Sequence, residues 1–184
     1  VEPEAGQTRG QSAEIKIEEL TRSDFARIRP WIDPGTFRIF HAPVDDGQLA
    51  ALLTASEEGR PRSLGYRIVR ASDGEIVGLV HATIDWKNML AHIGQIVVDP
   101  ALRGTGIGTA ALRSFLGVCF DDLGLHRAQL FVDEGNAGAV ACYRKVGFQA
   151  EGLMREATRV GSEYISWYSM SILEDEWRTS RAGG

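Results

Sequence analysis

Ile15 and Ile17 alternate with charged neighbours, which predicts a short opening strand. After Thr21 the spacing becomes helical, with Phe25, Ile28 and Trp31/Ile32 on one face. Asp24 stands three residues after Thr21, where a capping box places its acidic partner, and Pro30 leaves the helix end open. Residues 33–45 contain Pro34, Gly35 and Pro43 and read as a loop, although Phe37, Ile39 and Phe40 make it unusually apolar. Asp46 to Glu58 is expected to form a second helix, with Leu49, Leu52 and Leu53 on one side.

The middle of the chain is rich in strands. Leu64–Ala71 and Glu75–Ile84 flank the turn signal Ser72-Asp73-Gly74, and a further turn near Asp85–Asn88 leads to a strand over Ala91–Val98. Arg103–Gly108 is a glycine loop, followed by a helix to about Asp122. A strand over Arg127–Val132 and a helix over Asn136–Val146, stopped by Gly147, come next. Phe148–Arg159 and Tyr164–Leu173 read as two strands joined near Gly161, and Glu174–Trp177 closes the pattern. The expected organisation is an irregular arm over 1–13, one domain over 14–178 and a polar tail over 179–184. Its class is mixed α/β, or α+β with an antiparallel front.

Composition narrows the chemistry. The 184 residues suit one domain. A net charge of −5 argues against a general nucleic-acid binder, while leaving room for one small anion held locally. The two cysteines, Cys119 and Cys142, form neither a disulfide scaffold nor a CxxC motif, so no metal site is expected. No apolar run reaches the length of a membrane span, and Val1–Glu14 has no apolar centre of a secretory leader. The expected location is the cytoplasm.

The glycines carry more information by placement than by number. In Val97-Val98-Asp99-Pro100-Ala101-Leu102-Arg103-Gly104-Thr105-Gly106-Ile107-Gly108 a buried strand ends, the chain bends, and glycines open a helix. Such a loop leaves backbone N–H groups unobstructed at a positive helix end, and Arg103 and Thr105 add polar contacts suited to a diphosphate. A phosphate-binding P-loop needs a lysine after its glycines, and none follows. A dinucleotide fingerprint can be laid on Gly106-x-Gly108-x-x-Ala111, but Asp133 comes late for its acidic partner, so a nucleotide-cofactor enzyme is a minor alternative.

Arg103-x-x-Gly106-x-Gly108 resembles the acetyl-CoA motif of the GNAT family of N-acetyltransferases. The strand Val97-Val98-Asp99-Pro100, the set Asn136, Ala139, Tyr143 and Gly147-Phe148, and the ending from Glu151-Gly152 to Glu176-Trp177 resemble that family in the same order. The ending is similar to the branch that contains ribosomal-protein N-terminal acetyltransferases. The resemblance implies a twisted, mostly antiparallel mixed sheet, splayed where acetyl-CoA binds and flanked by helices. It implies that Ile96, Val97 and Val98 lie along the pantetheine, with Arg103, Gly104, Thr105, Gly106, Ile107 and Gly108 around the pyrophosphate and Asn136 beside the pantetheine. Tyr143 would then be the general acid near the sulfur, and a backbone N–H around Val98 the oxyanion donor.

The reaction implied is direct attack of a primary amine, on a small molecule or a peptide N-terminus, in a ternary complex. A non-catalytic acyl-CoA sensor or assembly protein is the alternative. Where many relatives place a glutamate, this chain has His92 and Gln95, so His92 is the candidate base, with His81, Asp85, Glu134 or a water chain behind it. Phe37, Asp85, Trp86, Tyr164 and Trp167, with Trp31, are candidates to line the acceptor cleft. A homodimer is compatible with the resemblance.

Overall fold

The alternation at Ile15 and Ile17 forms β1 (Ile15–Glu19), paired antiparallel with β3 (Arg60–Arg70). The computed structural model describes residues 14–32 and 45–182; the expected arm over 1–13, the loop over 33–44 and Phe37 lie outside them. At the first helix the capping signal is realised. Asp24 Oδ2 accepts hydrogen bonds from Thr21 N at 2.8 Å and Thr21 Oγ1 at 2.9 Å, while Oδ1 accepts from Arg67 Nη1 at 2.9 Å. Burial alone would raise the Asp24 pKa, but the Thr21 bonds and Arg67 outweigh it and hold the carboxyl below its usual range. α1 (Phe25–Ile28) is only one α-helical turn, flanked by 3-10 turns at Arg22–Asp24 and Arg29–Trp31, with Pro30 in the second.

The helix expected over Asp46–Glu58 stops early. α2 spans Asp46–Ala50, and β2 (Ala55–Glu57) then pairs with β3. Asp45 and Gln48 cap α2 reciprocally, at 2.8 and 2.9 Å, so its start is well specified. Its end is set by tertiary contact. Ser63 Oγ donates to the Leu53 carbonyl at 3.0 Å, the Gly65 amide donates to Thr54 Oγ1 at 3.1 Å, and Glu58 and Gly59, both at positive φ, form the hairpin turn.

The long hairpins follow the alternation. β4 (Ile76–Asp85), β5 (Leu90–Val98), β6 (Arg127–Asp133), β7 (Gln149–Val160) and β8 (Glu163–Leu173) complete an eight-stranded sheet among the described residues, ordered β1-β3-β4-β5-β6-β8-β7 with β2 on β3. Every pairing is antiparallel except β5 with β6. α3 (Ile107–Gly117), continued by a π turn at Val118–Asp122, and α4 (Ala137–Val146) cover one face. That core includes Val80, Ala91, Ile93, Leu112, Phe115, Leu130, Val140 and Ile172. On the other face α1 and α2 pack Phe25, Ile28, Trp31, Ile32, Leu49 and Leu52 against Leu79 and Val97.

α5 (Glu174–Ala182) runs past Arg178 into the polar tail expected from residue 179, with Trp177 buried and Arg181 paired with Asp121 at 2.5 Å. No helix among the described residues is long and apolar enough to cross a membrane.

Candidate active site

The site begins with a fault in the sheet. β5 and β6 pair in parallel only from Leu90 with Arg127 to Ile93 with Leu130. On its other side β5 pairs His81 with Gln95 and Ala82 with Ile93, so Gly94 is an extra residue, a β-bulge. From Gly94 to Val98 the edge of β5 facing β6 has no strand partner. The two strands diverge there into a V with exposed backbone donors and acceptors. Ile96, Val97 and Val98 lie on this open edge.

The glycine loop closes the same end. Gly104 and Gly106 take positive φ, 78° and 90°, and a Cβ on either would meet open space, so their role is backbone conformation rather than packing. Gly106 is the N-cap of α3, and the first helical bond is Ala110 N to Gly106 O at 3.0 Å. None of the amides from Gly104 to Thr109 donates to an acceptor among the described residues. Thr105 Oγ1 turns inward to the Leu102 carbonyl at 2.7 Å, so this residue offers its amide and not its hydroxyl. A row of free N–H groups at a helix start fits the pyrophosphate of a coenzyme A thioester.

α4 borders this loop. Asn136 is its N-cap, its Oδ1 accepting from Ala139 N at 3.1 Å, which leaves the amide Nδ2 available. Cys142 Sγ lies 3.3 Å from Thr109 Oγ1, in the first turn of α3. Tyr143 follows, its ring 6.0 Å from that of Phe148. Its hydroxyl has no hydrogen-bond partner among the described residues, and burial pushes its pKa well up, so the phenol stays protonated at neutral pH. Cys119, by contrast, is fully buried with its thiol pushed up to about 12, which makes it packing.

On the opposite face of the sheet lies a cleft of about 300 Å³. Ile32, Gln48, Ala51 and Leu52 form one wall; His81, Thr83, His92, Gly94 and Gln95 form the other. His81 is nine-tenths buried, and burial lowers its pKa. The Gln95 side chain and Ala51 backbone are beside the ring, yet neither ring nitrogen has a partner in hydrogen-bonding geometry, and Gln95 Oε1 is also unpartnered. His92 is half-buried and its pKa is likewise lowered by burial; its Nδ1 is 3.1 Å from Gln129 Nε2.

Comparison with known proteins decides the family. Residues 16–148 match the model of the acetyltransferase (GNAT) family. The chain belongs to that family. It is 31% identical over 112 residues to spermidine N(1)-acetyltransferase of Escherichia coli K12, a match covering 60% of each protein. It is 28% identical over 107 residues to an L-amino acid N-acetyltransferase of the same strain, covering 57% of this chain and 66% of the relative. The chain thus matches 60–66% of the length of these curated relatives. The solved spermidine N-acetyltransferase of Vibrio cholerae, in complex with CoA and spermine, shares the fold. Its TM-score is 0.77 at 22% identity, over 89% of this chain and 98% of that one.

The acceptor-side residues expected of this GNAT chain do not gather in one place. Asp85 and Trp86 sit at the paired end of β5, away from the V. Asp85 holds its turn through Asn88 N at 3.1 Å and Asn88 Nδ2 at 2.7 Å, and Trp86 Nε1 donates to the Pro61 carbonyl at 2.7 Å. Both are turn residues, not cleft residues. Trp31 is core, and Tyr164, 60% exposed, lies at the β7–β8 turn beyond the end of β6. Trp167 is better placed, opposite Asp133 at the open end of β6, with its Nε1 buried and unpartnered. Glu134 is exposed, just past β6. Gly94, the wall residue Gln48 and the His92 partner Gln129 carried no signal, because the register of β5 on β4 and β6 reveals Gly94 and Gln129 and the packing of α2 reveals Gln48.

Proposed function

We propose that this protein transfers the acetyl group of acetyl-CoA to a primary amine by direct attack in a ternary complex. The observation that carries the reading is the V between β5 and β6 ending at the unpaired amides of Gly104–Thr109. The open edge of Ile96–Val98 suits the amide-bearing pantetheine arm, the amides of 104–109 with Arg103 suit the pyrophosphate, and Asn136 Nδ2 is free to donate to the arm. Acetyl-CoA supplies an activated thioester carbonyl. Tyr143 holds the proton that a departing thiolate needs.

The acceptor is a small amine or a peptide N-terminus, entering from the cleft on the other face of the sheet. Among the described residues no carboxylate lines that cleft, whose polar groups are the neutral side chains of Gln48, Thr83, Gln95, His81 and His92. A polyamine carries several ammonium groups that want anionic partners. The neutral wall favours an amine of lower charge, such as the α-amine of an amino acid or peptide. Thiol release from acetyl-CoA across amino-acid amides, short peptides and spermidine tests this. Release is expected with at least one α-amine and more slowly with spermidine. Acetyl-CoA binding without release for any acceptor would favour the sensor reading instead.

A further inference from the structure

A ladder of side chains runs behind His92. Glu151 accepts from Arg127 through both oxygens, from Nη1 at 2.8 Å and Nη2 at 2.5 Å. The same guanidinium donates from Nε and Nη2 to Gln129 Oε1, both at 3.3 Å. Since Arg127 has only donors to offer, the Gln129 carboxamide must turn its oxygen to Arg127 and its NH₂ to His92. Gln129 Nε2 therefore donates to His92 Nδ1, at 3.1 Å, and that nitrogen has to be the unprotonated acceptor. The neutral ring then carries its proton on Nε2. Protonating Nδ1 would set N–H against N–H and cost the bond.

The second imidazole of the cleft is in the opposite situation. His81 lies across the β4–β5 ladder from Gln95, and its Nδ1 would be 3.5 Å from a Cβ on Gly94, so the ring sits over the bulge where the V opens. It is nine-tenths buried and both its nitrogens are unpartnered, so one lone pair is uncommitted. These two are the titratable side chains lining the cleft among the described residues; the other polar groups facing them are Gln48 and the Ala51 backbone from the α2 segment and Thr83, Gln95 and Gln129 from the sheet. The nearest charges on the ladder, Arg127 and Glu151, offset each other.

We propose that Glu151, Arg127 and Gln129 are positioning residues that lock His92 as a hydrogen-bond donor, leaving His81 as the group that takes the proton of the acceptor amine. This rests on the acetyl-transfer reading for its function, but the lock itself is a property of the protein alone. As the N–C bond forms and the C–S bond breaks, His81 accepts the amine proton on its free ring nitrogen and Tyr143 gives one to the sulfur. Return of a proton from His81 to Tyr143 through solvent leaves a net transfer of one proton from nitrogen to sulfur. His92 Nε2–H meanwhile orients an acceptor oxygen or the thioester carbonyl.

Imidazole nitrogen NMR of the whole protein tests the lock without any substrate. At pH 7 the expected His92 spectrum shows Nδ1 unprotonated and Nε2 protonated. Gln129→Glu, which presents an acceptor in place of the donor, is expected to move the proton to Nδ1 and raise the His92 pKa by about one unit or more. A wild-type His92 protonated on Nδ1, or a tautomer unchanged in Gln129→Glu, would overturn the lock. With an acceptor in hand, His92→Gln keeps a donor and is expected to lower kcat about fivefold without moving the acidic limb of the pH profile. His81→Gln is expected to lower kcat on the order of 100-fold and remove that limb. Equal losses, or a limb that goes with His92, would contradict the division of roles. Failure of every acceptor to react, with the His92 tautomer as expected, would count against acetyl transfer and against a base role for His81, and leave the lock standing.

Discussion

At Gly65 a side chain has no room. A Cβ there would lie 1.8 Å from the carbonyl oxygen of Leu52, where β3 runs beneath the end of α2. The Gly65 carbonyl also accepts from Leu20 N at 2.9 Å, and its amide donates to Thr54 Oγ1, so the strand cannot slide away without breaking those bonds. Backbone oxygen cannot rotate aside as a side-chain tip can. Gly65→Ala is expected to destabilise the fold by about 3 kcal/mol in denaturant unfolding. Gly152→Ala, where a Cβ meets nothing within 4 Å, is expected to change stability by less than about 0.5 kcal/mol. Equal effects would show that the close approach at Gly65 is not a constraint. The same approach helps end α2, since the chain after Leu52 is committed to contacts with β3.

At the scale of elements, local chemistry was readable where it was self-contained. The Thr21–Asp24 cap, the Ser72-Asp73-Gly74 turn, the N-cap at Asn136 and the stop at Gly147, at φ 120°, all act through neighbours within a few residues. So the strand hairpins, α3 and α4 fall where periodicity and turn residues put them. The glycine loop was legible for the same reason, because a run of glycines at a helix start has one main physical use. The misses are long-range. α2 looks long in sequence because Leu49, Leu52 and Leu53 keep a helical spacing, but β3 captures the next residues as an edge strand. Asp85 and Trp86 are polar and aromatic beside a turn, a pattern that suits a binding loop and a structural turn equally; the sheet register puts them at the closed end. His92 was visible as a titratable group on the central strand. Its partner Gln129 was not, since 37 residues separate them and only the short parallel stretch of β5 and β6 joins them.

In the molecule as a whole, the two faces of one sheet carry different groups. The glycine loop, Asn136 and Tyr143 belong to the face covered by α3 and α4, while Ile32 and the segment Gln48, Ala51 and Leu52 wall the cleft that holds His81 and His92. Keeping imidazoles neutral inside the fold has a thermodynamic signature. Burial lowers the pKa of His81 in the folded state, so below the unfolded value of about 6.5 the unfolded chain binds a proton that the folded chain does not. Stability is therefore unaffected by this group above that pH and falls as pH drops through it. Thermal melts between pH 7.5 and 5.5 are expected to show a loss on acidification that is smaller in His81→Gln, because its side chain does not titrate. Identical pH slopes would mean that His81 is as accessible to protons folded as unfolded. The carboxylates held below their usual range, Asp24 and Glu151, release their share of stability only at lower pH.

The two faces meet at the V, where we propose that acetyl-CoA enters with its pyrophosphate on the amides of the glycine loop. Gly106 needs φ of 90° to aim those amides, a conformation that costs a residue with a Cβ about 1–2 kcal/mol. Calorimetric titration of acetyl-CoA into the wild-type protein and Gly106→Ala tests this directly. The expected result is saturable binding to the wild type and binding at least about tenfold weaker in a folded Gly106→Ala. No binding to the wild type, or equal affinity in the two proteins, would contradict it.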